Sequence, residues 1–208
     1  MKIEPDILES STSLKAGIAK LISNFGNPFT LIFLFTVFST FHFLPVNKAI
    51  KISIIILFIA LIPTGLFIIY NVKKGTYTNY DVSNQKQRPS LYLFSLSVLI
   101  FIIAVLVFNQ EPKFIIGGGI AAFILLLISF LVNMKVKCSL HTSFAVFIAL
   151  AFLHLNLIWS FGLLLFAFFM GWSRLILRRH TIGEVMIGGI LGSTVGLLFY
   201  IFIRPYTE

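Results

Sequence analysis

The chain has 208 residues, of which 58% are hydrophobic and 11% charged, with a mean hydropathy of +1.00. A soluble domain carries about a quarter charged residues, so this composition excludes an ordinary soluble fold and fits one helical membrane domain. The net charge of +9 sits in short loops between apolar runs, where headgroup contact and topology explain it and a nucleic-acid surface does not.

Residues 1–27 read as a polar N-terminal tail followed by a weakly amphipathic stretch, 14–25, expected to lie at the interface. Glu4, Asp6 and Glu9 and the missing small-residue cleavage site argue against a cleaved signal peptide. The membrane domain is expected over 28–208. A span needs about 20 mostly apolar residues. The candidates are 28–44, 52–72, 91–108 and 114–134, two within 142–172 divided at His154-Leu155-Asn156, and 182–203. The two within 142–172 are expected to be the shortest. Lipid offers backbone groups no partners, so the spans must be helices. The expected fold is an all-α polytopic transmembrane bundle of six or seven spanning helices.

Two features of the apolar runs are structural. Gly188, Gly192 and Gly196 recur every four residues, the pattern of a close helix–helix contact. Gly117-Gly118-Gly119 points to close packing or a kink and suggests no chemistry of its own.

Three polar stretches lie at the edges of these runs: Arg88-Pro89, Lys137-Cys138-Ser139-Leu140-His141, and Ser173-Arg174 followed by His180 and Glu184. A pair of spans separates each stretch from the next, so all three emerge on one face. The lysines and arginines divide twelve to four in favour of that face, which makes it cytoplasmic, in the cell membrane, by the positive-inside rule. Lys2, Lys15 and Lys20 are in the larger group, and Lys48, Lys51, Lys113 and Arg204 form the smaller one.

The residue types suit phosphate chemistry. Arginine presents a planar fork that matches phosphate oxygens, the part assigned to Arg88 and Arg174, with Lys137 as a point charge. Ser139 is expected to begin a helix, whose N-terminus favours an anion. One histidine can attack phosphorus and a second can protonate the leaving group. His180 and Glu184, four apart, share a helix face, where the carboxylate can orient the ring. Beyond the tail, only Asp81 and Glu184 lie near the three stretches. Two acids are too few for a two-metal phosphatase, so neither metal nor other cofactor is expected.

Other polar residues have plainer readings. Arg178, Arg179, Lys73 and Lys74 read as topology signals. His42 and His154 read as structural residues toward the opposite face, and Cys138 as unreactive. Tyr70, Tyr77, Tyr80, Tyr92 and Trp172 read as an aromatic belt, one member of which could line a lipid path.

Arg-Pro, Ser-x-His and Ser-Arg-x5-His-x3-acid, in this order among membrane spans, resemble the type 2 phosphatidic acid phosphatases, in a divergent membrane branch. That superfamily also includes the soluble vanadium haloperoxidases. The resemblance covers roughly residues 81–192. It implies His180 as nucleophile, His141 as general acid and Glu184 as the partner of His180. It implies Arg88, Arg174, Ser139 and the backbone near Leu140 as phosphate ligands. Three positions depart from the family pattern. Asp81 stands where a lysine is usual, and Lys137 or Lys86 could supply that charge. Leu140 replaces a glycine, and Glu184 an aspartate. The implied activity is metal-independent hydrolysis of a lipid phosphate: phosphatidate, phosphatidylglycerol phosphate or a polyprenyl pyrophosphate. The alternatives are a phosphotransferase using the same intermediate and a non-enzymatic phospholipid-binding or transport protein.

Overall fold

Apolar runs closed by Asn, Pro and Ser become helices with defined ends. In the computed structural model, the backbone is described for residues 5–203 and the side chains for 14–203. The side chains of Lys2, Glu4, Asp6, Glu9, Arg204 and Glu208 lie outside the described residues. Helix α1 (Pro5–Phe25) meets α2 (Pro28–Phe43) at a 50° bend. Asn27 caps α2 by accepting the Phe29 N–H at 2.9 Å, and Pro28 occupies its first turn. Helices α3 (Val46–Ile56) and α4 (Ile62–Lys73) form one span through a π-helical stretch, Leu57–Leu61. The widened turn sits just before Pro63, whose ring cannot continue a regular hydrogen-bond ladder. Helices α5 (Arg88–Phe108), α6 (Lys113–Asn133), α7 (Leu140–Ala151), α8 (Leu157–Ile176) and α9 (Ile182–Ile203) complete the bundle.

Among the described residues, five helices are long and apolar enough to cross a membrane, or six if the bent α1–α2 pair counts as one span. Their outward faces carry exposed Phe101, Phe108, Phe168 and Phe202, as lipid-facing surfaces do. The protein is therefore an all-helical integral membrane protein. Two of the expected spans differ in length. Helix α8 runs a full 20 residues, because Ser173 and Arg174 find partners inside the bundle and the helix continues past Trp172. Helix α7 alone is short, with 12 residues before a tight turn at Phe152–His154. Asn156 then caps α8 through the Ile158 and Trp159 N–H groups.

The glycine stripe of α9 is a packing surface. A Cβ on Gly188 would lie 2.6 Å from the Ser139 carbonyl oxygen, and one on Gly192 would run into the Ser143 carbonyl. Gly196 rests on Leu150 and Phe147. This contact holds the start of α7 beside the start of α9, and so places His141 near His180. At the opposite end, buried Glu111 in the α5–α6 turn pairs with Lys48 at 3.3 Å and Lys51 at 3.6 Å. His42 packs edge-on to Phe43, and His154 packs beside Tyr200, both away from the polar stretches. The aromatic belt is corrected at two positions. Tyr77 and Tyr92 are buried, the Tyr77 hydroxyl lying 2.7 Å from Ser90 Oγ, whereas Tyr70 and Tyr80 are exposed.

Candidate active site

The loop 74–87, the segment 134–139 and the turn 177–181 meet at one end of the bundle. They bring together all seven residues expected to act on phosphate, with Asp81. Arg88 begins α5, where the ring of Pro89 suits the first turn. Its side chain is buried and held at three points. Nε donates to the Val82 carbonyl at 2.9 Å, and Nη1 donates to the Cys138 carbonyl at 2.8 Å and to Asn133 Oδ1 at 3.4 Å. Val82 accepts this bond from a left-handed backbone, φ 45°, a costly conformation for a β-branched residue.

Nη2 of Arg88 reaches His180 Nε2 at 3.4 Å. A guanidinium only donates, so Nε2 is the accepting nitrogen and Nδ1 carries the proton. Nδ1 lies 2.7 Å from Glu184 Oε2. The ring is thereby fixed in the tautomer whose free lone pair points toward the arginines. Burial and the surrounding charges of Arg88, Arg174 and Lys137 depress the His180 pKa to about 2. A protonated ring would suit Glu184, but one carboxylate does not outweigh burial among several cations.

Arg174, in the last turn of α8, is fully buried. Nη1 donates to Ser23 Oγ at 2.6 Å and to Asp81 Oδ2 at 3.0 Å. Nε and Nη2, which form the forked edge of the guanidinium, are buried and have no partner among the described residues. His141 Nε2 is likewise buried without a hydrogen-bond partner, 3.9 Å from Asp81 Oδ1. Asp81 thus bridges the arginine and the second histidine. Burial works to raise its carboxyl, but His141 and Arg174 outweigh that and hold it below the usual carboxylate range.

Lys137 donates to the Arg179 carbonyl at 2.6 Å and lies 3.5 Å from Glu184 Oε2. Burial lowers its pKa against the pull of Glu184. Ser139 caps α7: its Oγ accepts the Thr142 N–H at 3.4 Å, and its own N–H donates to the Glu184 carbonyl at 3.1 Å. The serine therefore builds the helix start and takes up the Thr142 amide, leaving the Leu140 and His141 amides of the first turn as donors. Leu140 needs no glycine-like backbone, because Ser139 has φ −90° and Leu140 is already helical. Lys86 is exposed on a short turn beside Gln85 and Pro89 and does not join the cluster. Arg179 is more than a topology signal, since Nη1 bonds Ser83 Oγ at 2.8 Å. Burial raises the Cys138 thiol, as an inert residue requires.

Sequence reasoning missed Ser23, Val82 and Asn133. Asn133 left a trace, a lone amide ending an apolar run. Ser23 left none, because it lies 151 residues from its partner Arg174.

An apolar cavity opens on the cluster. Asp81, Arg88 and His141 line one end, and Phe43, Phe114 and Ile203 the other. No protein-family model, curated protein or solved structure matches the chain.

Proposed function

We propose that the protein is a lipid phosphatase of the type 2 phosphatidic acid phosphatase kind. Its core helices carry that family's site, and its substrate's phosphate is drawn from the bilayer. The observation that carries this reading is the ring of His180, held by Glu184 with its free nitrogen facing Arg88, beside the unpartnered fork of Arg174. The fork matches two phosphate oxygens. Arg88 and the first amides of α7 offer further donors.

In the reaction, the Nε2 lone pair of His180 attacks phosphorus and the bond from phosphorus to the lipid oxygen breaks. His141, as an imidazolium favoured by Asp81 and the bound phosphate, gives its Nε2 proton to the departing oxygen and becomes neutral. Glu184 balances the positive charge on the phosphorylated ring. Water then attacks the phosphohistidine, giving a proton to the now neutral His141 as the phosphorus–nitrogen bond breaks, so that phosphate is released and both histidines return to their starting states. A lipid or sugar hydroxyl in place of water would make the protein a phosphotransferase, a second reading that the same histidine geometry supports.

Purified protein should release phosphate from a lipid panel of phosphatidate, phosphatidylglycerol phosphate and polyprenyl pyrophosphate. Release should persist in EDTA and be blocked by vanadate. His180→Ala should remove at least about 10³-fold of it. Strong loss in EDTA, or near wild-type turnover by His180→Ala, would overturn this mechanism. Labelled phosphate appearing on an acceptor would favour transfer.

A further inference from the structure

The cavity beneath the cluster is long and narrow. Helix α5 lines it from Arg88 to Leu106, which at 1.5 Å per residue is a depth of ~27 Å. That is close to the roughly 30 Å hydrocarbon thickness of a bilayer. Its volume is only about 190 Å³, below the roughly 300–1,000 Å³ of pockets that enclose a compact ligand. Spread over that length, it has the cross-section of one extended chain and not of two side by side.

The walls are mostly apolar. Two of the hydroxyls within them turn back onto their own helices: Thr40 Oγ1 donates to the Thr36 carbonyl at 2.8 Å, and Thr64 Oγ1 to the Ala60 carbonyl at 2.8 Å. Small side chains keep the middle open, namely Gly118 and Ala122 on α6 with Ala60 and Ala151, while Gly117 and Gly119 let α6 pack closely against Ile203 and Ile103. The glycine run thereby gains a role. Toward the far end the Phe43 and Phe114 rings pack with centroids 4.9 Å apart. The acid and the arginine of the lining, Asp81 and Arg88, lie at the mouth with His141, and His154 lies toward the other end.

We infer that this cavity is the seat of a single hydrocarbon chain, so that the preferred substrate is a lipid phosphate with one long chain rather than two. The inference rests on the phosphatase reading, and it names the substrate class of the same site. A one-chain lipid phosphate would place its charged end at Arg88 and bury its tail along α5 and α6. A two-chain lipid would have to leave one tail outside.

The test uses a long-chain alkyl phosphonate carrying a diazirine at its terminal carbon, photolysed with the full-length protein in nanodiscs and mapped by mass spectrometry. Cross-links are expected in α6 around Gly118–Ala122. Unlabelled one-chain alkyl phosphate should compete at least about tenfold better than phosphatidate. Ala122→Phe should shift the label toward the mouth, and Ala122→Leu should do so more weakly if the larger change impairs folding. Labelling confined to outward residues such as Ile124 and Phe168, or equal competition by phosphatidate, would overturn the inference. Phosphate release from the same lipids separates the two claims. Cavity labelling without release from any lipid sinks the phosphatase and keeps the chain site. Release from phosphatidate without cavity labelling does the reverse.

Discussion

In the proposed reaction His180 must be neutral to attack phosphorus and must tolerate positive charge once it has done so. Glu184 serves both needs by accepting the Nδ1 proton at 2.7 Å. Glu184→Gln keeps the shape and removes the charge, so phosphate release should fall by about 10²-fold or more, with little change in KM. Arg174→Lys removes the fork and keeps the charge. Losing one charge-assisted bond to phosphate costs about 1.5–3 kcal/mol, so kcat/KM should drop roughly 10- to 100-fold. An unchanged kcat/KM would place the phosphate elsewhere. The buried neutral ring also makes stability pH-dependent. Its folded pKa, about 2, lies below the ordinary 6.5, so the unfolded chain binds the proton first. The stabilisation is present above pH 6.5 and is lost as pH falls from there toward 2. Between pH 6.5 and 5 the loss amounts to at most about 2 kcal/mol. Thermal melts in detergent should fall over that interval, and His180→Asn should flatten the dependence.

The element that sets the site is the contact between α7 and α9. Gly188 and Gly192 let the helices approach until a Cβ would meet carbonyl oxygens of α7. Those carbonyls cannot move without unwinding the helix that carries His141. Gly192→Ala should therefore destabilise the protein by about 1–3 kcal/mol and reduce phosphate release. Gly189→Ala, beside Gly188 but facing open space, should be neutral or slightly stabilising. Equal melting temperatures for the two variants would show that the stripe does not set helix spacing. The bent α1–α2 pair makes a second contribution at this scale. It brings Ser23 under Arg174, and with Asp81 this occupies one end of the guanidinium and leaves the forked edge free.

At the scale of the whole molecule, an even number of spans between polar stretches places them on one face, and counting apolar runs sufficed to see it. The pairing of His180 with Glu184 was equally legible, because a helix puts residues four apart side by side. The lateral order of helices around the bundle leaves no periodic mark. The Ser23–Arg174 bond, the use of Asp81 as a bridge and the central cavity all depend on that order. Hydropathy also ended one span at Trp172, because it assigns Ser173 and Arg174 to water when both are buried against partners. The same lesson bears on orientation. Arg88, Lys137 and Arg174 are held inside the site, so their charges do not report topology as free loop charges do. Lys73, Lys74, Lys86, Lys135 and Arg178 remain on that face, against Lys48, Lys51 and Lys113 among the described residues of the other, and Glu111 neutralises part of the latter group. The excess supports the proposal that the site faces the cytoplasm. A Cys138→Ala protein with a cysteine at Asn79 should resist a membrane-impermeant maleimide in intact cells and react after permeabilisation. A cysteine at Asn109, in the opposite turn, should react in both. The reverse pattern would place the site outside the cell and make its lipid an outer-leaflet one.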